Sequence, residues 1–226
     1  MGKYKYLLKN LGIMTISNFG SKILSFLMVP LYTRVLSTAE YGMYDFYVTT
    51  ILLLTPLLSM NILDAVIRFT LDKNSKPEKI FTIGLKFCIR AVIACCVLVI
   101  LNQCTGIIQI FTEYPVFFIL YFSLSMVSDL LNQFARGLEK LTAVAVAGVI
   151  NTFVLVTLNV LFLVVLKLGL IGYFAAYCTA FATACFYLIF HIKVWKYIDF
   201  SAFRKSSLQI EMTKYSAPMI LQNVGA

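Results

Sequence analysis

The sequence predicts an all-α, polytopic membrane protein folded as a bundle of six transmembrane helices. Three observations predict it. Apolar residues make up 61% of the chain and charged residues 13%, against about 45–50% and about 25% in soluble domains. The apolar residues gather into six runs of about 20 residues, the length a helix needs to cross a hydrocarbon core of about 30 Å. Short basic clusters separate those runs. A soluble fold of 226 residues could not hide this much apolar surface. In lipid, a helix satisfies all its backbone groups internally.

The first run, Leu11 to Leu31, is longer than the roughly 7–15 apolar residues of a cleaved signal, and no A-x-A site follows it. It carries Thr15, Asn18, Lys22 and Ser25, which fall within roughly an 80° arc at about 100° per residue. A cation at the Lys22 depth costs about 2.5–3.5 kcal/mol on insertion scales. The polar stripe is therefore expected to face a cavity or another helix. The second run, Tyr44 to Leu63, places Asp45, Thr49, Pro56 and Ser59 on one face. Pro56 predicts a bend, because proline removes a helix hydrogen bond.

The third run is Phe81 to Leu101 and the fourth Tyr114 to Leu131. Asp64 with Arg68, and Lys86 with Arg90, stand four residues apart toward the ends of the second and third helices. The fifth run, Leu141 to Leu166, includes Asn151, Thr152 and Asn159. The sixth, Leu168 to Val194, holds the single histidine, His191, near its end, where an interfacial position is expected.

The loop cations set the expected orientation. Lys3, Lys5 and Lys9, then Lys73, Lys76 and Lys79, then Arg136 and Lys140, then Lys193, Lys196, Arg204, Lys205 and Lys214 fall on one side. Arg34 and Lys167 fall on the other. By the positive-inside rule the N-terminus and the C-terminal segment are both cytoplasmic. The net charge of +9 is thus read as topology, and no nucleic-acid partner is expected, because the cations form no patch with interleaved aromatics. The six cysteines include no CxxC pair. They are read as small apolar residues, with no metal, disulfide framework or cofactor expected. No loop is long enough for a soluble catalytic domain, so an enzyme is not expected.

Three segments follow. Residues 1–196 are expected to form the bundle, 197–214 a basic amphipathic cytoplasmic linker, and 215–226 the opening of a seventh helix. Lys9 to Gly20 aligns without gaps on Lys214 to Gly225, matching Lys9 with Lys214, Met14 with Met219, Asn18 with Asn223 and Gly20 with Gly225. With six helices between the copies, both start on the same side. That is a parallel repeat about an axis along the membrane normal, one of the symmetries found in transporters. A second bundle is expected to follow, so the chain reads as one half of a transporter.

Several segments resemble a family. Phe19-Gly-Ser-Lys-Ile-Leu-Ser-Phe26 and Pro30-Leu-Tyr-Thr-Arg-Val-Leu-Ser-Thr-Ala-Glu-Tyr-Gly42 resemble the opening of Wzx-type oligosaccharide flippases of the multidrug/oligosaccharidyl-lipid/polysaccharide superfamily. Asp64-Ala-Val-Ile-Arg-Phe69 and Phe134-Ala-Arg-Gly-Leu-Glu-Lys140 look like that family's cytoplasmic loop signatures. The resemblance implies the N-lobe of a MATE-like, V-shaped transporter of two six-helix bundles around a central cavity. It implies flipping of polyprenyl-pyrophosphate-linked oligosaccharides across the bacterial inner membrane, for O-antigen, capsule or exopolysaccharide synthesis. The bilayer and a coupling ion, H+ or Na+, are the further expected partners. Ser21-Lys22-Ile23-Leu24 is also similar to the first-helix motif of lipid II flippases, where the basic position faces the cavity, and Asp45 matches an acidic position there.

On that resemblance the expected cavity residues are Lys22, Asn18, Thr15, Ser25, Asp45, Arg68 and Arg90. Each has a plainer reading that stays open. Lys22 either meets the pyrophosphate or pairs with a carboxylate to fix packing. Asp45 either faces the cavity or caps an interface. Arg68 and Arg90 either line a basic vestibule suited to a pyrophosphate or join an ion-pair cluster with Asp64 and Lys86. Asn151, Thr152 and Asn159 either bind sugar hydroxyls or join helices. The competing functions are a cation exporter of the related MATE family, which calls for acidic cavity residues, and a half-transporter fragment without activity of its own.

Overall fold

The computed structural model describes residues 28–72, 75–199 and 207–220. Every regular element among them is helical. Residues 28–35 (α1) close the first apolar run. Thr15, Asn18, Lys22 and Ser25, the whole first copy of the aligned repeat and residues 221–225 of the second lie outside the described residues.

The turn out of α1 is built by a capping box. Ser37 accepts from the Glu40 backbone N–H, and the Glu40 carboxylate accepts from the Ser37 backbone N–H at 2.9 Å. This reciprocal pair satisfies two orphan donors and starts α2, Thr38–Ser59. α2 does not run on as one rod. Met60 and Asn61 both adopt left-handed backbone, with φ of 53° and 51°, and the chain resumes as α3, Ile62–Thr70, bent by 63°. The break falls a turn beyond Pro56, not at it. Pro56 stays buried inside α2, while the Asn61 N–H donates to the Pro56 carbonyl at 2.9 Å. Asn tolerates left-handed backbone, whereas Met does so at a cost of roughly 1–3 kcal/mol.

α4, Pro77–Thr105, is 29 residues long, about 43 Å at 1.5 Å per residue. Pro77 suits its first turn, where no backbone donor is needed. Gly106 ends it at φ 65°, and its N–H donates to the Asn102 carbonyl at 2.7 Å. Asn102 then clamps the loop by donating to and accepting from the Ile108 backbone. The short α5, Ile110–Glu113, lies over this end, and Tyr47 donates to the Ile110 carbonyl at 2.7 Å. α6, Pro115–Gly137, returns through the bundle. α7, Leu141–Asn159, continues through a π-helical turn over Val160–Val165, and α8 covers Gly169–Ile192. α4, α6, α7 with its π-turn, and α8 are each long and apolar enough to cross a membrane, and the bent α2–α3 pair reaches that length and apolarity only when taken together.

In lipid, apolar burial drives helices together only weakly, so close contact between small residues matters more. α7 and α8 make the most extensive contact, where Ala143 and Ala147 on α7 and Ala176, Ala180 and Ala184 on α8 are all buried. Gly84 lets α4 approach α3 and α6. A Cβ there would sit 2.7 Å from Leu130 Cδ1 and 2.8 Å from Val66 Cγ2. The aromatic core gathers near α5, where Tyr47 contacts Phe111, Phe118 and Phe174 at 5.2–5.3 Å between ring centroids.

At the opposite end, α9, Ser207–Ser216, packs on α3. Met212 is fully buried there and Tyr215 meets Phe69 edge-on at 5.9 Å. The segment expected as a linker therefore includes a helix fastened to the bundle, and α9 runs across the expected boundary at residue 214.

Candidate functional site: a polar cleft in the bundle

The break between α2 and α3 opens a cleft of about 480 Å3 against α6 and α8. α6 supplies Ser125, Asp129 and Gln133, four residues apart and so on one helical face. A neighbouring face of α6 points inward, with Phe122, Met126, Leu130 and Phe134 buried. Asp129 is exposed to the cleft. It lies about 12 Å from the Gly137 end of α6 at 1.5 Å per residue, and it is the only carboxylate on that helix.

The facing wall comes from the break itself. Left-handed backbone at Asn61 turns its amide toward α3, where Nδ2 donates to Asp64 Oδ2 at 2.8 Å. Thr55 also lines the cleft, its hydroxyl donating to the Ile51 carbonyl at 2.7 Å. Tyr121 and Phe181 form an aromatic border, 5.7 Å apart. The described lining thus holds two carboxylates, two amides and three hydroxyls, and no Lys or Arg. Such a set accepts hydrogen bonds from hydroxyl groups or stabilises a cation.

The expected site residues are distributed as follows. Asp45 is exposed on α2, on roughly the same face as Leu52 and Pro56 at 100° per residue, but beyond the cleft's lining. Arg68 is exposed on α3 and lines a separate cleft of about 370 Å3 with Asp72, Glu211 and Lys214. Arg90 is exposed near the middle of α4, its guanidinium carbon 5.6 Å from the Phe87 ring centroid. α4 begins at Pro77, so Arg90 sits about 20 Å along it at 1.5 Å per residue, deeper than the helix end where a vestibule was expected. No described cavity joins Arg68 to Arg90.

Lys86 is buried and donates to Gln209 Oε1 on α9 at 2.8 Å. Asn159 is fully buried and donates to the Tyr32 hydroxyl at 2.9 Å, so it joins α7 to α1. Thr152 is buried and donates to the Gly148 carbonyl. His191 is exposed and stacks on Tyr187 at 5.3 Å.

Sequence reasoning missed Asp129, Gln133, Ser125 and Asn61. A signal existed, since a lone carboxylate flanked at four-residue spacing by Ser125 and Gln133 marks a polar stripe on an apolar helix. The stripe was passed over because the apolar run ends at Leu131, which made Asp129 look like a border residue.

The profile of a protein family described as "Polysaccharide biosynthesis protein" matches residues 7–226. No curated protein matches the chain. Among solved structures, a MATE transporter in complex with MaL6 is similar at a TM-score of 0.67 and 16% identity, over 94% of this chain and 50% of that one. A MOP superfamily transporter from Pyrococcus furiosus, whose binding pocket of reverse polarity suggests a different function, is similar at 0.61 and 17%, over 95% and 50%. An outward-facing multidrug resistance MATE family transporter is similar at 0.58 and 15%, over 95% and 50%. The chain spans about half the length of these transporters, and at these identities the likeness is one of fold.

Proposed function

The chain belongs to the polysaccharide biosynthesis protein family, and on that premise we propose that it forms one bundle of a flippase for polyprenyl-pyrophosphate-linked oligosaccharides. The cargo crosses the bacterial inner membrane for polysaccharide assembly, with the N-terminus and α9 on the cytoplasmic side. The observation that carries this reading is the polar cleft of about 480 Å3 set among apolar spans. A sugar presents many hydroxyls and needs many neutral or anionic acceptors, which Asn61, Asp64, Asp129 and Gln133 supply. Lys22 takes the pyrophosphate, with Asp45 on the same route. Arg68 and Arg90 add positive potential. The ion that drives the cycle is H+ or Na+.

A second reading, export of a cationic compound, is favoured by one observation: the described cleft carries Asp64 and Asp129 and no cation. One experiment separates the two. The complete natural protein is expressed in a strain lacking its flippase, and surface glycan is measured beside efflux of a cationic dye. Restored glycan without dye efflux supports the flippase. Dye efflux without glycan overturns it.

A further inference from the structure

Tyr121, Ser125, Asp129 and Gln133 follow one another at four-residue spacing along α6, and all four line the cleft. The strip is about 18 Å long at 1.5 Å per residue, with an aromatic ring at one end, an amide at the other and a carboxylate between. Nothing in the described lining neutralises that carboxylate. Among the described residues none hydrogen-bonds to Asp129, and the lining holds no Lys or Arg. The next cation along α6, Arg136, stands about 10 Å further on and outside the lining. Its Nη1 donates to Gln133 Oε1 at 3.5 Å, which leaves Gln133 Nε2 as the donor facing a ligand. Ser125 and Thr55 spend their hydroxyl protons on the Phe122 and Ile51 carbonyls, at 2.9 and 2.7 Å, so both can only accept from a ligand.

The α8 wall of the cleft is a positioned ring. Phe181 lines the cleft, with Tyr121 and Tyr177 against it at 5.7 and 6.5 Å between ring centroids. The face of an aromatic ring is its negative side, and it favours C–H groups or a cation laid over it. A pyranose ring offers a face of C–H groups and a rim of hydroxyls. The face suits Phe181, and the rim suits Asp129 and Gln133. Oxidising the hydroxymethyl group on that rim to a carboxylate puts a second anion near Asp129. Among apolar spans, like charges repel far more strongly than in water. An ammonium on the rim instead makes a charge-assisted hydrogen bond with Asp129.

We propose that the cleft selects its sugar by charge: it takes neutral and amino-bearing rings, stacked on Phe181, and rejects uronic acids. That its ligand is a sugar rests on the flippase reading, but the selection is tested without lipid carrier or transport. The full-length protein in nanodiscs is presented in turn with methyl glucoside, methyl glucosaminide and methyl glucuronide. The second and third each differ from the first in one substituent of the same ring. Saturation-transfer NMR measures the affinity of each and shows which ring protons lie against the protein.

Glucoside and glucosaminide are expected to bind at least about tenfold more tightly than glucuronide, the effect of one like-charge contact in a partly desolvated site. The axial protons of one ring face should take up most saturation, and Phe181→Leu should remove that asymmetry. Asp129→Asn is expected to abolish most of the preference, and Gln133→Glu, which adds a carboxylate to the strip, to widen it. Glu113→Gln removes an exposed carboxylate on α5 and should leave the preference as it is. Glucuronide bound as tightly as glucoside, no binding of any of the three, or a preference that neither Asp129→Asn nor Gln133→Glu moves overturns the proposal. If the protein exports no glycan but binds the sugars in the expected order, the flippase reading fails and the selection stands. If it exports a glycan rich in uronic acid, the flippase reading stands and the selection fails.

Discussion

Lys86 Nζ donates to Gln209 Oε1 at 2.8 Å, a buried bond between residues 123 positions apart that fastens α9 to the third span. Gln209→Ala takes this acceptor from a buried ammonium, which costs roughly 1–3 kcal/mol. The expected outcome is a lower thermal midpoint in detergent and faster tryptic cleavage near Lys205, with Gln209→Glu restoring protection. Unchanged cleavage in the Ala variant would show that α9 is held by other contacts.

Gly137 is where α6 crosses the end of α3. A Cβ there would stand 2.5 Å from Thr70 Cβ, so Gly137→Ala must push two helices apart. Overpacking of this kind costs typically about 1–3 kcal/mol. Gly42 has nothing within 4 Å, and Gly42→Ala is expected to leave the midpoint unchanged or raise it. Equal midpoints for both variants would refute the close approach.

Asp129 separates a hydrogen-bonding role from a charge role. If it accepts from sugar hydroxyls, Asp129→Asn keeps much of the export, because the amide oxygen still accepts. Asp129→Ala then loses roughly tenfold, the equivalent of about 1.4 kcal/mol for one hydrogen bond. If Asp129 carries a coupling cation or a cationic cargo, Asn is as damaging as Ala. Glycan export per unit of membrane protein decides between them.

On the flippase reading proposed above, Lys22 is the cation that would take the pyrophosphate. Lys22→Arg is expected to keep much of the activity, and Lys22→Ala to abolish most of it at unchanged membrane levels, since removing a mid-membrane charge relieves an insertion cost. If Lys22 is instead one half of a buried ion pair, the Ala variant strands a carboxylate at about 3–5 kcal/mol and the protein disappears from the membrane.

Topology is tested by fusions. Reporters after Lys76 or Lys205 are expected to read as cytoplasmic, and those near Thr38 or Thr105 as periplasmic. Reversal at any two of these sites would overturn the orientation.

Legibility in the sequence followed the strength of the local signal. The run Leu141 to Leu166 is bounded by Lys140 and Lys167, and the helix with its π-turn covers Leu141–Asn159 and Val160–Val165. The run Leu168 to Val194 contains α8, Gly169–Ile192. Uninterrupted apolar length between cations leaves little choice.

The second span was harder to read. Its break at Met60 and Asn61 involves neither glycine nor proline, and the short α3 beyond it alternates buried Ala65 and Val66 with exposed Arg68. Pro56 pointed to the right neighbourhood, but the bend depends on where the backbone turns left-handed. Asp129 was hidden because composition marks the end of a run, whereas helix length decides depth. α6 continues to Gly137 and carries Asp129 inside. Arg90 is displaced in the same sense, since α4 starts at Pro77 and carries the exposed Arg90 about 20 Å along the helix.

The length of α4 has a mechanical consequence. A rod of about 43 Å is mismatched to a film whose hydrocarbon is about 30 Å thick, and a helix answers mismatch by tilting or protruding. α4 is not free to do so alone, because α5 is clamped to one end and α9 is bonded near the other. Thinning of the surrounding leaflets therefore loads both ends of the bundle at once, and lipid chain length becomes a control on how tightly its helices pack.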